Sequence, residues 1–146
     1  MSESEVITLR RPPLQATFSP QNGGRVTHLS HDAFGNILVP MQDTVFDPLH
    51  WPKAGAFPLM PFHNRITSAR FTHNGRQHGL LPHPSYGGDV MHGPAHRRPW
   101  HVKAIRDDRL EIRLDYVTDN DWPFDFRAEQ RFHLREGGID IDLVLI

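Results

Sequence analysis

Prolines and glycines fall so often along this chain that few windows between them could hold a helix. There are 13 prolines and 11 glycines in 146 residues. A proline inside a helix removes a backbone hydrogen bond and clashes with the preceding turn. Between these breaks, apolar residues recur mostly with period two, the spacing of a strand with one buried face. Leu110, Ile112, Leu114 and Tyr116 alternate with Glu111, Arg113 and Asp115. Phe124, Phe126, Ala128, Phe132 and Leu134 share one face, opposite Arg127, Glu129, Arg131 and His133. A Glu136-Gly137-Gly138 turn leads into Ile139, Ile141, Leu143 and Leu145. The pattern predicts an all-β sandwich whose last three strands form an antiparallel meander with one wet face.

Upstream the strands are shorter. Val6 to Leu9 reads as a first edge strand closed by Pro12-Pro13, and Leu14, Ala16 and Phe18 as a second. Pro20 to Gly24 turns the chain into a strand over Val26 to Leu29, and Ile37 to Val39 predicts another, ending at Pro40. Met41 to Ala56 has no convincing period and reads as a loop carrying Phe46 and Trp51. Ala69 to His73 and Arg76 to Leu80 flank Asn74-Gly75, a pair suited to a type I′ hairpin because both central residues need positive φ. His83 to Pro99 reads as a long ordered loop, a kind of segment that tends to be functional.

The formal net charge of -1 gives no electrostatic drive toward nucleic acid or an anionic membrane. No apolar run approaches the roughly 20 residues of a membrane helix, and the start, MSESEVITLRRPP, carries no recognisable signal peptide. The absence of cysteine excludes disulfides, thiolate nucleophiles and cysteine-ligated zinc. The expectation is a cytoplasmic protein with neither membrane nor nucleic acid as partner.

Polar side chains able to grip a small hydroxylated ligand are concentrated between Phe57 and Trp100. His92, His96 and His101 have a spacing that on a helix would suggest a metal site. Pro94 and Pro99 argue against that helix, and no carboxylate lies between Met91 and Ala104 to complete a usual ligand set; no metal site is expected. His73 and His78 read as solvated surface histidines. Ser85 lacks the context of a catalytic serine, and no helix pattern follows Gly87-Gly88 to cradle a phosphate. Trp51, Trp100 and Trp122 each suit either a hydrophobic core or a platform for the apolar face of a pyranose, the core being the commoner fate.

Order and spacing carry more than any one motif. An apolar-Pro-aromatic run leads into Asn64-Arg65-Ile66, then the Phe71 to Gly75 hairpin, then His92-Gly93 and Trp100. Pro20-x-x-Gly23-Gly24-x-Val26-x-x-Leu29 precedes this series, and Trp122-Pro123-Phe124 with the strands to Leu134 and Leu145 follows it. The series resembles the aldose 1-epimerase (galactose mutarotase) family. The resemblance implies a large antiparallel β supersandwich with an open sugar cleft, of which residues 1–146 would be the N-terminal part. It implies interconversion of the α and β anomers of an aldose. A general acid protonates the ring oxygen while a general base takes the anomeric hydroxyl proton, and neither metal nor cofactor is needed.

Carried over by position, Arg65 would donate hydrogen bonds to sugar hydroxyls through its planar fork. Asn64 would contact the sugar or hold the loop, its side chain bonded to its own backbone. His92, the candidate catalytic residue, would sit beside the ring oxygen and position or assist proton transfer. His63 stands where the family usually has a small residue. The family's second histidine and its glutamate base have no counterpart here, and the chain reaches Ile146 within an apolar strand. The expectation is therefore a mutarotase-like protein whose acid and base lie in a missing C-terminal half or a second chain completing the sheet. A carbohydrate-binding β domain without turnover is the alternative, and a cupin-like histidine metalloprotein a weaker one.

Overall fold

The computed structural model describes residues 6–42 and 45–146. Residues 1–5 of the segment read for a signal peptide, and residues 43 and 44 of the predicted Met41 to Ala56 loop, lie outside the described residues. Two four-stranded antiparallel sheets make the scaffold. The first contains β1 (Ile7–Arg11), β2 (Leu14–Ser19), β3 (Arg25–His31) and the two-residue β4 (Gly35–Asn36). Between the sheets, chain order gives β5 (Arg65–Ile66), β6 (Arg70–His73), β7 (Arg76–Gly79) and β8 (Val90–Met91). The second sheet contains β9 (His101–Arg106), β10 (Arg109–Tyr116), β11 (Phe126–Arg135) and β12 (Gly138–Leu145), in the spatial order β12-β11-β10-β9. Three short 3₁₀ turns, at Pro20–Asn22, Thr67–Ala69 and Pro94–Arg97, are the only helical pieces among the described residues. The all-β antiparallel expectation holds, and among the described residues no helix is long and apolar enough to cross a membrane.

The period-two rows of the sequence become the core. Leu110, Ile112, Leu114 and Tyr116 of β10 are buried, as are Ala128, Phe132 and Leu134 of β11. They pack against Ile7, Leu9, Leu14, Ala16, Phe18, Val26 and Leu29 of the first sheet. Phe18 and Phe132 meet across the interface with ring centroids 4.7 Å apart. The polar interruption in the β11 row, Gln130, is also buried, and its Nε2 donates to the Gly24 carbonyl at 2.8 Å, so burial leaves that amide nitrogen paired. The meander forms in the expected order, with Phe132 opposite Ile141 and Leu134 opposite Ile139. Its third strand departs from expectation. The core-side row of β12 is uncovered, with Ile141, Leu143 and Leu145 between 42% and 53% exposed.

Two local readings are corrected. Ile37 to Val39 is not a strand: β4 ends at Asn36, and Ile37 and Val39 are exposed. The N–H groups of Ile37 and Leu38 both turn onto the single Leu29 carbonyl, so no ladder can propagate. The free edge of β3 is filled by separate contacts instead, from Met41 to Thr27 and from Ala56 to Val26. The second correction is a strand the sequence hid. His101–Arg106 forms β9, and a bulge against Glu111 and Ile112 breaks its alternation, which is why Val102 and Ile105 are not two apart.

A smaller aromatic cluster ties the Asn74-Gly75 hairpin of β6 and β7 to the scaffold. Trp122 stacks on Phe71 at 5.1 Å and lies against Phe62 at 5.4 Å. His78 stacks on Phe71 and is half-buried, whereas His73 stays exposed. Trp100 has no exposed surface, so of the three tryptophans it takes the core role in full.

Candidate functional site

Asn64, Arg65 and His92 are brought together by a two-stranded sheet of two residues per strand. In β5–β8, Arg65 pairs with Met91 and Ile66 with Val90. Just outside that ladder, Asn64 and His92 both take left-handed backbone conformations, with φ of 62° and 59°. Asparagine tolerates that region better than most side chains, whereas histidine there must be held by its surroundings. The hold is a double link. The His92 N–H donates to the Asn64 carbonyl at 2.8 Å, and the Asn64 N–H donates to His92 Nδ1 at 3.0 Å.

A close backbone approach explains why position 93 must be glycine. The Gly93 N–H donates to the Phe62 carbonyl at 2.9 Å. A Cβ placed on it would lie 1.9 Å from the Met60 carbonyl oxygen, so only glycine lets the two segments approach. Trp100 then anchors the loop from behind, its Nε1 donating to the Ala95 carbonyl at 2.9 Å.

The double link also sets the chemistry of His92. Since Nδ1 accepts from a backbone N–H, the neutral ring carries its proton on Nε2. Partial burial, followed by the nearby His63, pushes the His92 pKa below its ordinary value. At neutral pH His92 is therefore a neutral hydrogen-bond donor, and no described residue accepts from its Nε2.

Arg65 lies half-exposed between a carboxylate and a ring. Its Nη1 is 3.2 Å from Asp89 Oδ2, and its guanidinium sits over the Tyr86 ring at 5.1 Å. Asp89 is fixed in turn, its Oδ1 accepting the Ser68 N–H at 2.9 Å. Among the described residues the one carboxylate that touches Arg65 is thus already engaged twice.

Trp51 closes the arrangement. Its ring lies 6.0 Å from His92, 5.5 Å from His83 and 4.6 Å from His96. The loop that carries it is pinned by the fully buried Arg25, whose Nη1 donates to the carbonyls of Pro52 and Ala54 at 2.9 and 2.6 Å. Burial lowers the Arg25 pKa to about 10, and its guanidinium packs 4.1 Å over Phe57. His83 is buried with both ring nitrogens used, Nε2 donating to the Leu49 carbonyl and Nδ1 accepting from Ser85. His96 is fully buried, and its Nδ1 donates to the Gly93 carbonyl at 2.9 Å. Burial above all, then the positive charges of Arg97, His92 and Arg25, push its pKa down to about 3. His101 stands apart on β9, and among the described residues no three histidine, aspartate or glutamate side chains form a metal-binding group.

Sequence reading had named Asn64, Arg65 and His92, and the fold makes them neighbours. It had passed over Asp89 and Tyr86, which hold Arg65, and for Trp51 it had favoured the core over a sugar platform. A signal for Trp51 existed in its placement within a loop lacking an apolar period. Nothing in the sequence marked Asp89. Chemically, the group offers a guanidinium fork and an imidazole N–H beside aromatic faces, a set suited to a ring bearing hydroxyls.

The sequence model of the family described as aldose 1-epimerase matches residues 5–144. An uncharacterized Escherichia coli K12 protein, YphB, is 29% identical over 90 residues, covering 62% of this chain and 30% of that protein. A solved E. coli K12 structure, provisionally described as an aldose 1-epimerase, superposes with a TM-score of 0.83 at 26% identity, over 97% of this chain and 45% of that one. A galactose mutarotase-like protein of Clostridium acetobutylicum shares the fold with a TM-score of 0.78 at 21% identity, over 99% of this chain and 46% of its own. The chain spans less than half the length of these relatives.

Proposed function

Because the chain belongs to the aldose 1-epimerase family, we propose that it supplies the sugar-holding wall of a protein that interconverts the α and β anomers of an aldose. The observation that supports the proposal is the β5–β8 pairing, in which Arg65 lies opposite Met91, the chain neighbour of His92, while the Trp51 ring lies 6.0 Å from His92. Arg65 donates to sugar hydroxyls, its orientation fixed by Asp89 and Tyr86. His92, neutral with its proton on Nε2, donates to the ring oxygen and stabilises negative charge developing there as the C1–O bond breaks. A base removes the proton of the anomeric hydroxyl and an acid delivers one to the ring oxygen, giving the open-chain aldehyde. Rotation about C1–C2 and closure on the other face of the carbonyl give the other anomer. Asn64 serves through its backbone, by holding His92.

The acid and base are proposed to come from strands that complete the domain, either further along the same polypeptide or on a second chain. Two findings support this. The uncovered row Ile141, Leu143 and Leu145 offers a further strand-bearing segment an apolar surface, and the relatives extend well beyond the matched region. The second reading, a carbohydrate-binding domain without turnover, is favoured by one observation: Asp89, the carboxylate that meets Arg65 among the described residues, is already engaged by Arg65 and Ser68 and is not a free base.

Polarimetry and tryptophan fluorescence on this chain test both parts. The chain is expected to bind a monosaccharide at millimolar concentration while barely accelerating mutarotation of fresh glucose or galactose. Arg65→Ala should weaken binding by about tenfold or more, the scale of a lost charged hydrogen bond. Fast equilibration dependent on Arg65 and His92 would place acid and base within this chain. No fluorescence response to any monosaccharide would sink the sugar-holding role.

A further inference from the structure

The second sheet ends on two unlike edges. β9 is guarded: a bulge breaks its pairing against Glu111 and Ile112, and Lys103 and Arg106 stand on it, devices that discourage a further strand. β12 has neither. From Ile139 to Ile146 it carries no proline, glycine or lysine, and its pairing with β11 runs without a bulge. Ile141, Leu143 and Leu145 are about half exposed along it. We propose that this edge takes a second copy of the chain, β12 against β12, antiparallel about a two-fold axis at Leu143. The two four-stranded sheets then become one continuous sheet. The inference names the partner in the two-chain form of the function proposed above, and rests on that reading only in taking the edge to be open to an outside strand.

The backbone is the first argument. Arg127 and Ile146 exchange both backbone hydrogen bonds at 2.9 Å. In an antiparallel pair such bonds fall on every second residue, so the even-numbered residues of β12 turn their N–H and C=O groups to β11. Ile139, Ile141, Leu143 and Leu145 turn theirs to the open edge. The side chains of the same four residues stand on the core side, opposite Leu134, Phe132, Gln130 and Ala128. Free backbone groups and uncovered apolar side chains therefore belong to one row, and a second β12 matches both.

Charge chooses the register. Like charges directly opposite one another destabilise a strand pair, and β12 carries Asp140 and Asp142 on its other face. An axis at Asp142 would set that carboxylate against its own copy. An axis at Ile141 would set Asp140 against the partner's Asp142. With the axis at Leu143, Asp142 meets the partner's Val144 and Asp140 the partner's Ile146, so no carboxylate faces another. On the core side Leu143 meets its own copy and Ile141 the partner's Leu145, both apolar pairs. One strand edge is narrow beside the roughly 800 Å² per partner of a standard interface, so the dimer is weak and depends on concentration. The edge holds one strand at a time, and the dimer is therefore a form that binds sugar without turnover.

Sedimentation equilibrium of the whole chain, from micromolar to millimolar concentration, tests the pairing. The mass should rise from 16.8 kDa toward twice that value and stop there. Leu143→Pro removes an N–H that points to the open edge and none that serves β11, so it should weaken association by about tenfold or more. Its tryptophan-fluorescence response to monosaccharide should match the wild type. Because the chain has no cysteine, oxidative crosslinking reads the register without relying on that variant. Asp142→Cys mixed with Val144→Cys should crosslink, since opposite residues of a non-hydrogen-bonded pair lie within disulfide reach, and neither should crosslink efficiently alone. A single-chain mass at every concentration would overturn the proposal and leave the edge to a different polypeptide segment. A mass that grows past two chains, or a dimer indifferent to Leu143→Pro, would overturn it by placing the contact elsewhere. Crosslinking of Asp142→Cys with itself in preference to Val144→Cys would overturn the axis at Leu143. A dimer that ignores every sugar would uphold the pairing and sink only the sugar-holding role.

Discussion

The two-sheet scaffold and the segment from Phe57 to Trp100 are held together by different forces. In the scaffold, apolar rows on β2, β3, β10 and β11 face one another, and burial does most of the stabilising. In the segment from Phe57 to Trp100 the strands shrink to four residues in β6 and β7 and to two in β5 and β8, and position is set by individual hydrogen bonds, close backbone approaches and left-handed residues. The difference separates stability from placement. A core row tolerates a change of apolar shape at modest cost, whereas Gly93 cannot accept even a methyl group against the Met60 carbonyl.

Trp100 is where the two regimes meet, and substituting it should give the largest effect. Its ring lies in the main core with no exposed surface, and its Nε1 holds Ala95 in the cleft loop. Trp100→Ala is expected to cost about 3–5 kcal/mol in denaturant unfolding, with sugar binding lost as well. A variant that unfolds at the wild-type midpoint yet no longer binds sugar would mean that Trp100 belongs to the cleft alone.

His96 gives a smaller effect with a distinctive pH signature. In the unfolded chain its pKa is near the ordinary 6.5, whereas folding pushes it down to about 3. Between those values the unfolded state binds more protons, so acid favours unfolding. The contribution is fully present above pH about 6.5 and is lost as pH falls toward 3. From pH 7 to pH 5 the loss from this residue is about 2 kcal/mol, and His92, shifted in the same direction, adds to it. His96→Phe, whose ring suits a pocket bounded by Trp51 and Phe57, should be about 2 kcal/mol less sensitive over that range. An unchanged slope of stability against pH would show that His96 is not the buried neutral group of the cleft.

The same division explains what was legible. The rows Leu110 to Tyr116 and Ala128 to Leu134 could be read because burial writes itself into period two. Asn64-Arg65 and His92-Gly93 could be read only as motifs in order, since two-residue strands leave no period. Asp89 and Tyr86 left no trace, because the contact of each with Arg65 is made by the fold and not by spacing. The strand over Ile37 to Val39 was misread for a related reason: apolar β-branched residues favour a strand only where a neighbour offers a continuous ladder, and here two N–H groups converge on one carbonyl. On β12 the apolar row was legible but its exposure was not, since a sequence marks which face is apolar and not what covers it.

Two carboxylates sharpen the contrast at the small end of the scale. Asp115 lies on the outer face of the second sheet, 2.8 Å from Arg113 Nε and 2.9 Å from Arg127 Nε. Hydrogen bonding from Arg127 leads the causes that hold its carboxyl below the usual range. It is nevertheless about half exposed, where water and salt screen the pairing and side-chain ordering offsets most of the gain. Asp115→Asn should therefore leave the urea midpoint and sugar response within the scatter of the wild type. Asp89 also meets an arginine, at 3.2 Å, yet it is only 22% exposed and accepts a backbone N–H besides. Asp89→Asn should change little in stability but weaken monosaccharide binding several-fold, because the Arg65 fork loses the partner that aims it. If the two substitutions proved alike in a sugar titration, the carboxylate in the cleft would be only another surface ion pair, and the orientation of Arg65 would have to come from Tyr86 alone.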